Sequence, residues 1–468
     1  MVITDPIYGE IKITPIEKVF IDSEPVQRLR RLSQVGSVYY VYPSATHTRF
    51  SHAIGTMYLA GIYGAYLFPN DYRTIQILRL AGLLHDIAHG PFSHQFDAGV
   101  LSRHGIKLGH DDYRLRIIEE VFPEAIKQTL SQSDEQTRAE FENALQTLGM
   151  SLDELLKEII NIFDVTNKYG KFNQLLFSIV QGPLGADRLD FLQRDVYFTG
   201  IKGVGVVDYE RIIGNSAIVD GKLVYNVKIM NTIEATLFVR YAMYRDVYFH
   251  RASRAASRMM EDLMSALDEL GIFEDYISDP WKYLELDDNS IFTLTDLATR
   301  LYPNDLTTEY VQRLATQLKN RQLIKTVVEI QEFYSLSDLK RKSLVDIKEV
   351  LRQKARAIKD RLAQILDGMG FENSADKLID DVSSYITIFD PAEFTSNNVF
   401  IQNGDKIMDI NEIMSEYGSI MLKPGRIYFL RVFTDDEEIR TALYENKIVD
   451  KHSKQLLVGI DDSPLTLF

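Results

Sequence analysis

One stretch, Leu80 to Asp97, constrains this chain more than any other: LAGLLHDIAHGPFSHQFD. It holds three histidines and two aspartates, and seven of the nine histidines in the chain fall between His47 and His110. Ile75, Leu78, Leu83 and Leu84 give an apolar helical face that leads into His85 and Asp86. His85 and His89 are four apart, which puts them on one face of a continuing helix. Gly90 and Pro91 then end that helix, and His94 and Asp97 follow on a turn or a new helix start. An adjacent His-Asp pair at a helix end can bring imidazole nitrogen and carboxylate oxygen to one ion. These are the usual ligands of zinc, iron, manganese and nickel. A catalytic centre of this kind needs further ligands from elsewhere and an open position. The plain alternative is a solvated helix end. Such an end has no reason to be led by LAGLL or to carry Ala81, Gly82, Ala88 and Gly90.

The rest of the composition narrows the class. With 468 residues, 45% apolar and 25% charged, the chain can bury a sizeable core and is expected to form two or three domains. No run approaches the ~20 apolar residues of a membrane span. No basic, then apolar, then small-residue leader opens it, so a cytoplasmic location without membrane partners is expected. The absence of cysteine removes disulfides, thiolate metal sites and thiol nucleophiles. A net charge of −15 disfavours a general nucleic-acid coat, and an anionic substrate would need a local basic pocket.

Three motifs carry a resemblance: THTRFSHAIG (Thr46 to Gly55), LLHDIAHGPFSHQFD, and GADRLDFLQRD (Gly185 to Asp195). In order and spacing they resemble the HD-domain phosphohydrolases, above all the deoxynucleoside triphosphate triphosphohydrolase branch. The likeness starts at DPIYGEI (Asp5 to Ile11) and runs to about Lys325. It implies a mainly α-helical HD core over residues 1–330; beyond it, the residues of 331–468 themselves read as a basic helix and, from strand-like runs after 385, a small α+β lobe. It also implies one divalent transition metal held by His52, His85, Asp86 and Asp187, with Mg accompanying the nucleotide. His94, oriented by Asp97, is then the general acid, with His89 and His110 beside it. Gln34, Val35, Arg49, Arg188, Phe191, Asp195, Arg240, Tyr244 and Tyr248 are the implied substrate contacts. Phe191 stands where animal members have a tyrosine beside the sugar. Asp22, Gln27, Arg30, Arg211, Lys228, Arg321 and Lys325 are the implied regulatory nucleotide site, at a subunit interface of a homo-oligomer, a tetramer or dimer. At that site Met1 and Asn226 replace a lysine and an arginine of the animal members. The implied reaction releases a deoxynucleoside and inorganic triphosphate. The rival readings are an HD enzyme acting on an alarmone, cyclic nucleotide or nucleoside monophosphate, and a nucleic-acid-binding or nuclease protein.

Several expectations rest on the residues themselves. Arg49 lies three before His52, so one helical turn would put both on one side. An arginine beside a metal suits phosphate, because its planar fork binds two oxygens. Asp190 and His47 read as structural, and His104 as a surface residue. Residues 229–270 read as one long helical pattern on which Arg240, Tyr244 and Tyr248 form an i, i+4, i+8 row. Asp220-Gly221 and Asn403-Gly404 read as hairpin turns. Residues 336–366 read as an amphipathic helix with nine Lys or Arg between Lys340 and Arg361. A core-packed stripe of Ile347, Leu351, Ile358, Leu362 and Ile365 is favoured there over a nucleic-acid surface.

Overall fold

The structure, a computed structural model, describes residues 1–335, 338–339, 344–386, 399–410, 412–413 and 425–458. Helices dominate, accompanied by three small sheets. Two compact units share the chain. The first takes Met1–Arg240, Met260–Ala315 and Ser396–Gly418, and the second takes Tyr241–Met259, Thr316–Thr395 and Ser419–Phe468.

In the first unit, strands β1 (Val2–Asp5) and β2 (Gly9–Lys12) pair antiparallel. Helices α1 (Arg49–Leu67) and α2 (Tyr72–Leu84) then form a closely packed hairpin. Asp71 caps α2 by accepting the Thr74 N–H at 3.0 Å, which satisfies one of the free donors of its first turn. The helices approach so closely that a Cβ on Gly82 would lie 2.9 Å from Met57 Cα. Met57, Ala60, Leu78, Ala81 and Leu84 are fully buried in this contact. Helix α3 (His110–Arg116) follows, and α4 (Ala186–Thr199) packs along α1.

Helix α2 stops at Leu84 and does not continue through His89. Two groups draw the backbone at its end away from the helical ladder. His85 Nδ1 bonds the Gly82 carbonyl at 2.8 Å, and Arg114 Nη1 donates to the His85 carbonyl at 2.5 Å. Short i to i−3 bonds follow, including His89 N–H to the Asp86 carbonyl at 3.2 Å. His85 and His89 are therefore joined by a turn, each facing Asp86 Oδ1, and the single-helix expectation is corrected.

Strands β3 (Ser216–Val219) and β4 (Lys222–Asn226) form the expected hairpin. Asp220 and Gly221 supply its two left-handed residues, at φ 51° and 71°. Helix α5 (Met230–Met243) ends where a π-helical turn, Tyr244–Tyr248, begins, and α6 (Arg251–Glu269) starts after it. The wider turn breaks the i, i+4, i+8 row expected for Arg240, Tyr244 and Tyr248. Neither proline nor glycine marks the spot. The turn instead coincides with aromatic packing of Tyr244 against Tyr248, Phe249 and Tyr385. Helix α7 (Asp288–Leu301) closes the set of helices used below.

In the second unit, β5 (Lys325–Ser335), β6 (Ile379–Ile386) and β9 (Gly425–Thr434) form an antiparallel sheet in the order β5-β9-β6. Strands β7 (Phe400–Asn403) and β8 (Lys406–Asp409) instead extend the first unit's hairpin, giving the order β3-β4-β7-β8 with β4 and β7 parallel. Helix α8 (Leu344–Gly368) buries Ile347, Leu351, Ile358 and Leu362 against the second unit's sheet, with Ile365 partly buried. The apolar stripe is thus core-packed; Lys340, Arg341 and Lys342 lie outside the described residues. Among the described residues, no helix is long and apolar enough to cross a membrane.

Candidate active site

The first turn of α1, the end of α2 and the first turn of α4 bring four side chains together. His52 Nε2 lies 3.1 Å from His85 Nε2, 3.2 Å from Asp187 Oδ1 and 3.6 Å from Asp86 Oδ2. His85 Nε2 lies 3.3 Å from Asp86 Oδ1 and 3.6 Å from Asp187 Oδ1. A tetrahedral cage with metal–ligand bonds of about 2.1 Å has edges of about 3.4 Å. Two imidazoles and two carboxylates are also the mixture that first-row divalent ions accept. His52, His85 and Asp86 form a group that could hold a divalent metal, and Asp187 Oδ1 lies within reach of both histidines.

The histidines are set for that task from behind. His52 Nδ1 is 2.7 Å from Asp190 Oδ2, and His85 Nδ1 faces the Gly82 carbonyl. Each acceptor holds the ring proton on Nδ1, which leaves the Nε2 lone pair for the cage. In the absence of a metal the surrounding carboxylates instead favour a proton on these rings, the charge that a cation would replace. Burial opposes charge on His85, but Asp86 and Asp187 outweigh it and push the group up to about 10. His52 is likewise raised, burial being overcome by Asp187 and Asp190. Asp187 is held well below the usual carboxylate range, because the two histidines outweigh its burial. The cage thus attracts positive charge.

The sequence reads Asp190 as structural, and the structure places it behind the ligand histidine His52. Its carboxylate also accepts Arg194 Nε at 2.9 Å and Nη2 at 2.8 Å, and Arg194 reaches Asp5 at 2.8 Å. The signal was present: Asp190 is one helical turn after Asp187. Gly55 makes room for it, since a Cβ there would fall 1.9 Å from Asp190 Oδ1.

Arg49 and His52 share the first turn of α1, as their spacing predicts. The Arg49 guanidinium pairs with Asp86 through Nη1, and its Nε donates to Ser93 Oγ at 3.0 Å. A second cluster adjoins. His89 Nε2 lies 3.4 Å from Asp86 Oδ1, and its ring stacks on His110 with centroids 3.6 Å apart. Asp97 Oδ2 is 2.7 Å from His110 Nδ1 and 3.3 Å from His94 Nδ1. Asp97 Oδ1 also accepts the His110 N–H at 3.2 Å. Asp97 is therefore tied first to His110 and only second to His94, where the sequence paired it with His94 alone. The His94 side chain is 72% exposed, while His89 and His110 are buried. Burial, aided by Arg49 and His110, holds His89 well below its usual value. Burial also lowers His110, but Asp97 outweighs it and raises the group.

Among the other implied substrate contacts, Gln34 donates its backbone N–H to the His47 carbonyl at 3.0 Å. Its buried Oε1 has no hydrogen-bond partner among the described residues. Val35 precedes the short helix Gly36–Tyr40. Asp195 Oδ1 is 2.7 Å from His47 Nε2, and the His47 ring stacks on Phe198. Phe191 stands edge-on to His52 at 6.5 Å between ring centroids. Arg188 Nη1 donates to the Gln181 carbonyl at 2.8 Å. Arg240 is buried on α5, and Tyr244 and Tyr248 pack edge-on at 5.1 Å. Of the implied regulatory residues, Gln27 accepts from Arg30 Nε at 2.8 Å, and Asp22 feels the Arg30 charge against its burial. Arg211 and Lys228 belong to the first unit, and Arg321 and Lys325 to the second. His104 pairs with Asp268 at 2.7 Å near the surface.

A helical core whose HD dipeptide and flanking His and Asp converge in this way defines an HD-type hydrolase. Residues 49–166 match the HD domain family and residues 207–416 match the HD associated region. The chain thus carries an HD domain followed by an HD associated region. It is 27% identical over 336 residues to the deoxynucleoside triphosphate triphosphohydrolase SAMHD1 homolog of Dictyostelium discoideum, covering 70% of this chain and 60% of that protein. It is 27% identical over 383 residues to human SAMHD1, covering 77% of this chain and 60% of that protein. The chain thus spans less than two thirds of either relative. An uncharacterized protein of Methanocaldococcus jannaschii is 26% identical over 460 residues, covering 97% of this chain and 83% of its own length. The crystal structure of a phosphohydrolase from Bacteroides thetaiotaomicron superposes with a TM-score of 0.61 at 25% identity, covering 92% of this chain and 99% of that one.

Proposed function

We propose that this enzyme hydrolyses deoxynucleoside triphosphates to a deoxynucleoside and inorganic triphosphate. The observation that carries the reading is the Arg49 guanidinium, buried against a ligand carboxylate at the edge of the cage. A fixed, always charged fork in that position suits a phosphoryl group of a polyanion. The printed names of the Dictyostelium and human relatives supply the substrate class.

A divalent metal held by His52, His85, Asp86 and Asp187 supplies, when bound, polarisation of a phosphoryl oxygen and activation of water. Arg49, Arg188 and Arg240 neutralise the triphosphate. His94 is exposed enough to reach the leaving 5′-oxygen and gives it a proton, with Asp97 on its Nδ1. His110, pulled toward its charged form by Asp97, adjoins His94 beside the departing group. Gln34, with its unpartnered Oε1, and Phe191, beside His52, face the nucleoside. The test is a screen of ribo- and deoxynucleotides with several divalent metals, with products read by chromatography. Free triphosphate with deoxynucleoside supports the reading. Orthophosphate, pyrophosphate or an opened cyclic nucleotide as the main product refutes it.

A further inference from the structure

Beside the cage, one turn holds a backbone conformation that its residues disfavour. Phe92 and Ser93 both have positive φ, at 54° and 59°. Side chains larger than glycine avoid that region, so such residues persist only where their surroundings over-determine them. Here the surroundings are specific. The Phe92 N–H donates to Asp288 Oδ1 at 2.7 Å, and the Ser33 N–H donates to Asp288 Oδ2 at 2.8 Å. Ser93 Oγ donates to the Ser33 carbonyl at 3.1 Å and accepts from Arg49 Nε at 3.0 Å. The two loops also touch at Gly36, where a Cβ would lie 2.9 Å from the Phe92 carbonyl oxygen.

One carboxylate, 196 positions beyond Phe92, thus takes one loop on each of its oxygens. Asp288 is itself held by the start of α7. Its neighbour Asp287 caps that helix by accepting the Asn289 and Ser290 N–H groups at 2.9 and 3.1 Å. Asp287 also pairs with Arg31 at 2.7 Å. Burial pushes the Asp288 carboxyl up, and the two N–H groups pull it back.

We propose that Asp288 is a positioning residue of the active site: it sets the Phe92–Ser93 turn, and through it the Ser93 hydroxyl on Arg49 and the start of His94. The proposal rests on the reading above in that Arg49 grips the substrate phosphate. In Asp288→Asn the amide offers one acceptor and turns its NH2 against the other N–H, so one loop loses its partner. Asp288→Glu restores both oxygens. Asp287→Asn is the control: it removes the ion pair with Arg31, its amide oxygen can still cap α7, and it touches neither Ser33 nor Phe92.

The experiment compares the three variants with wild type by metal content, amide hydrogen exchange and steady-state hydrolysis of a deoxynucleoside triphosphate. In Asp288→Asn, metal content stays at the wild-type level and exchange quickens at 33–36 and 91–95. Its kcat/KM falls at least about tenfold, toward the ~10²-fold cost of an ångström of misplacement, and Asp288→Glu recovers part of it. Asp287→Asn keeps wild-type exchange at 91–95 and wild-type kcat/KM. Wild-type exchange at 91–95 in Asp288→Asn would overturn the proposal, as would a kinetic loss no larger than that of Asp287→Asn. If wild type releases triphosphate from no deoxynucleotide, the proposed reaction fails, while the exchange data still decide the role of Asp288.

Discussion

Replacing Asp190 with asparagine puts one acceptor where three donors converge. Asp190 Oδ2 faces His52 Nδ1 at 2.7 Å and Arg194 Nε at 2.9 Å, and Oδ1 faces Arg194 Nη2 at 2.8 Å. With the amide NH2 toward His52, the ring proton must move to Nε2, the atom that faces the cage. With it toward Arg194, a buried cation meets a donor. Loss of such a partner behind a ligand histidine costs 10- to 100-fold in metal affinity, or about 1.4 to 2.8 kcal/mol. Arg194 keeps Asp5 at 2.8 Å, so the loss of folding stability should sit near the low end for a broken buried pair, about 3 kcal/mol. Chelator competition followed by metal analysis reads the first quantity, and urea unfolding reads the second. Gly55→Ala reaches the same contact from the other side, because its methyl would fall 1.9 Å from Asp190 Oδ1; it should weaken metal binding in the same direction. Wild-type metal affinity in Asp190→Asn would refute the reasoning.

His94→Ala is expected to retain metal and substrate binding while turnover slows by roughly the 10²–10⁴-fold of a lost general acid; unchanged turnover removes that role. His110 is raised by Asp97, so the pair's contribution is complete below the ordinary histidine value of about 6.5 and fades as pH rises through the raised one. Asp97→Asn should therefore move the alkaline limb of kcat/KM to lower pH, and an unmoved limb would contradict the assignment. If Arg321 and Lys325 bind a regulatory nucleotide between subunits, added nucleoside triphosphate should enlarge the particle in light scattering and raise turnover, as ligand binding to the assembled form stabilises it. Arg321→Glu/Lys325→Glu should abolish both responses; a monomer indifferent to nucleotide and to the change would end that idea.

Much of the centre could be read from the chain, because local patterns mark it. The HD dipeptide marks His85 and Asp86 locally, whereas His52 and Asp187 follow from the resemblance to the HD family; the structure puts both histidines within 3.6 Å of Asp86 and Asp187. The supporting residues were less legible. Asp190 acts across 138 positions on His52, and a carboxylate behind a histidine looks in sequence like any helical acid. Asp288 serves backbone N–H groups, which leave no trace in residue type. The ends of helices misled where side chains compete with the ladder, as His85 and Arg114 do at the end of α2. The π-helical turn at Tyr244 follows aromatic packing with residues as distant as Tyr385, which periodicity does not record. Both glycine hairpins were legible, the first because a left-handed pair demands particular residues at Asp220-Gly221 and the second because Gly404 has positive φ. The parallel pairing of β4 with β7 carries no such local mark.

The most direct test of the account is hydrolysis of a deoxynucleoside triphosphate in ¹⁸O-labelled water by the metal-loaded enzyme, with products followed by phosphorus NMR and mass spectrometry. Attack of water on the α-phosphorus with departure of the 5′-oxygen predicts inorganic triphosphate carrying one labelled oxygen and an unlabelled deoxynucleoside. Label in the nucleoside, or a deoxynucleoside monophosphate with pyrophosphate, would contradict it.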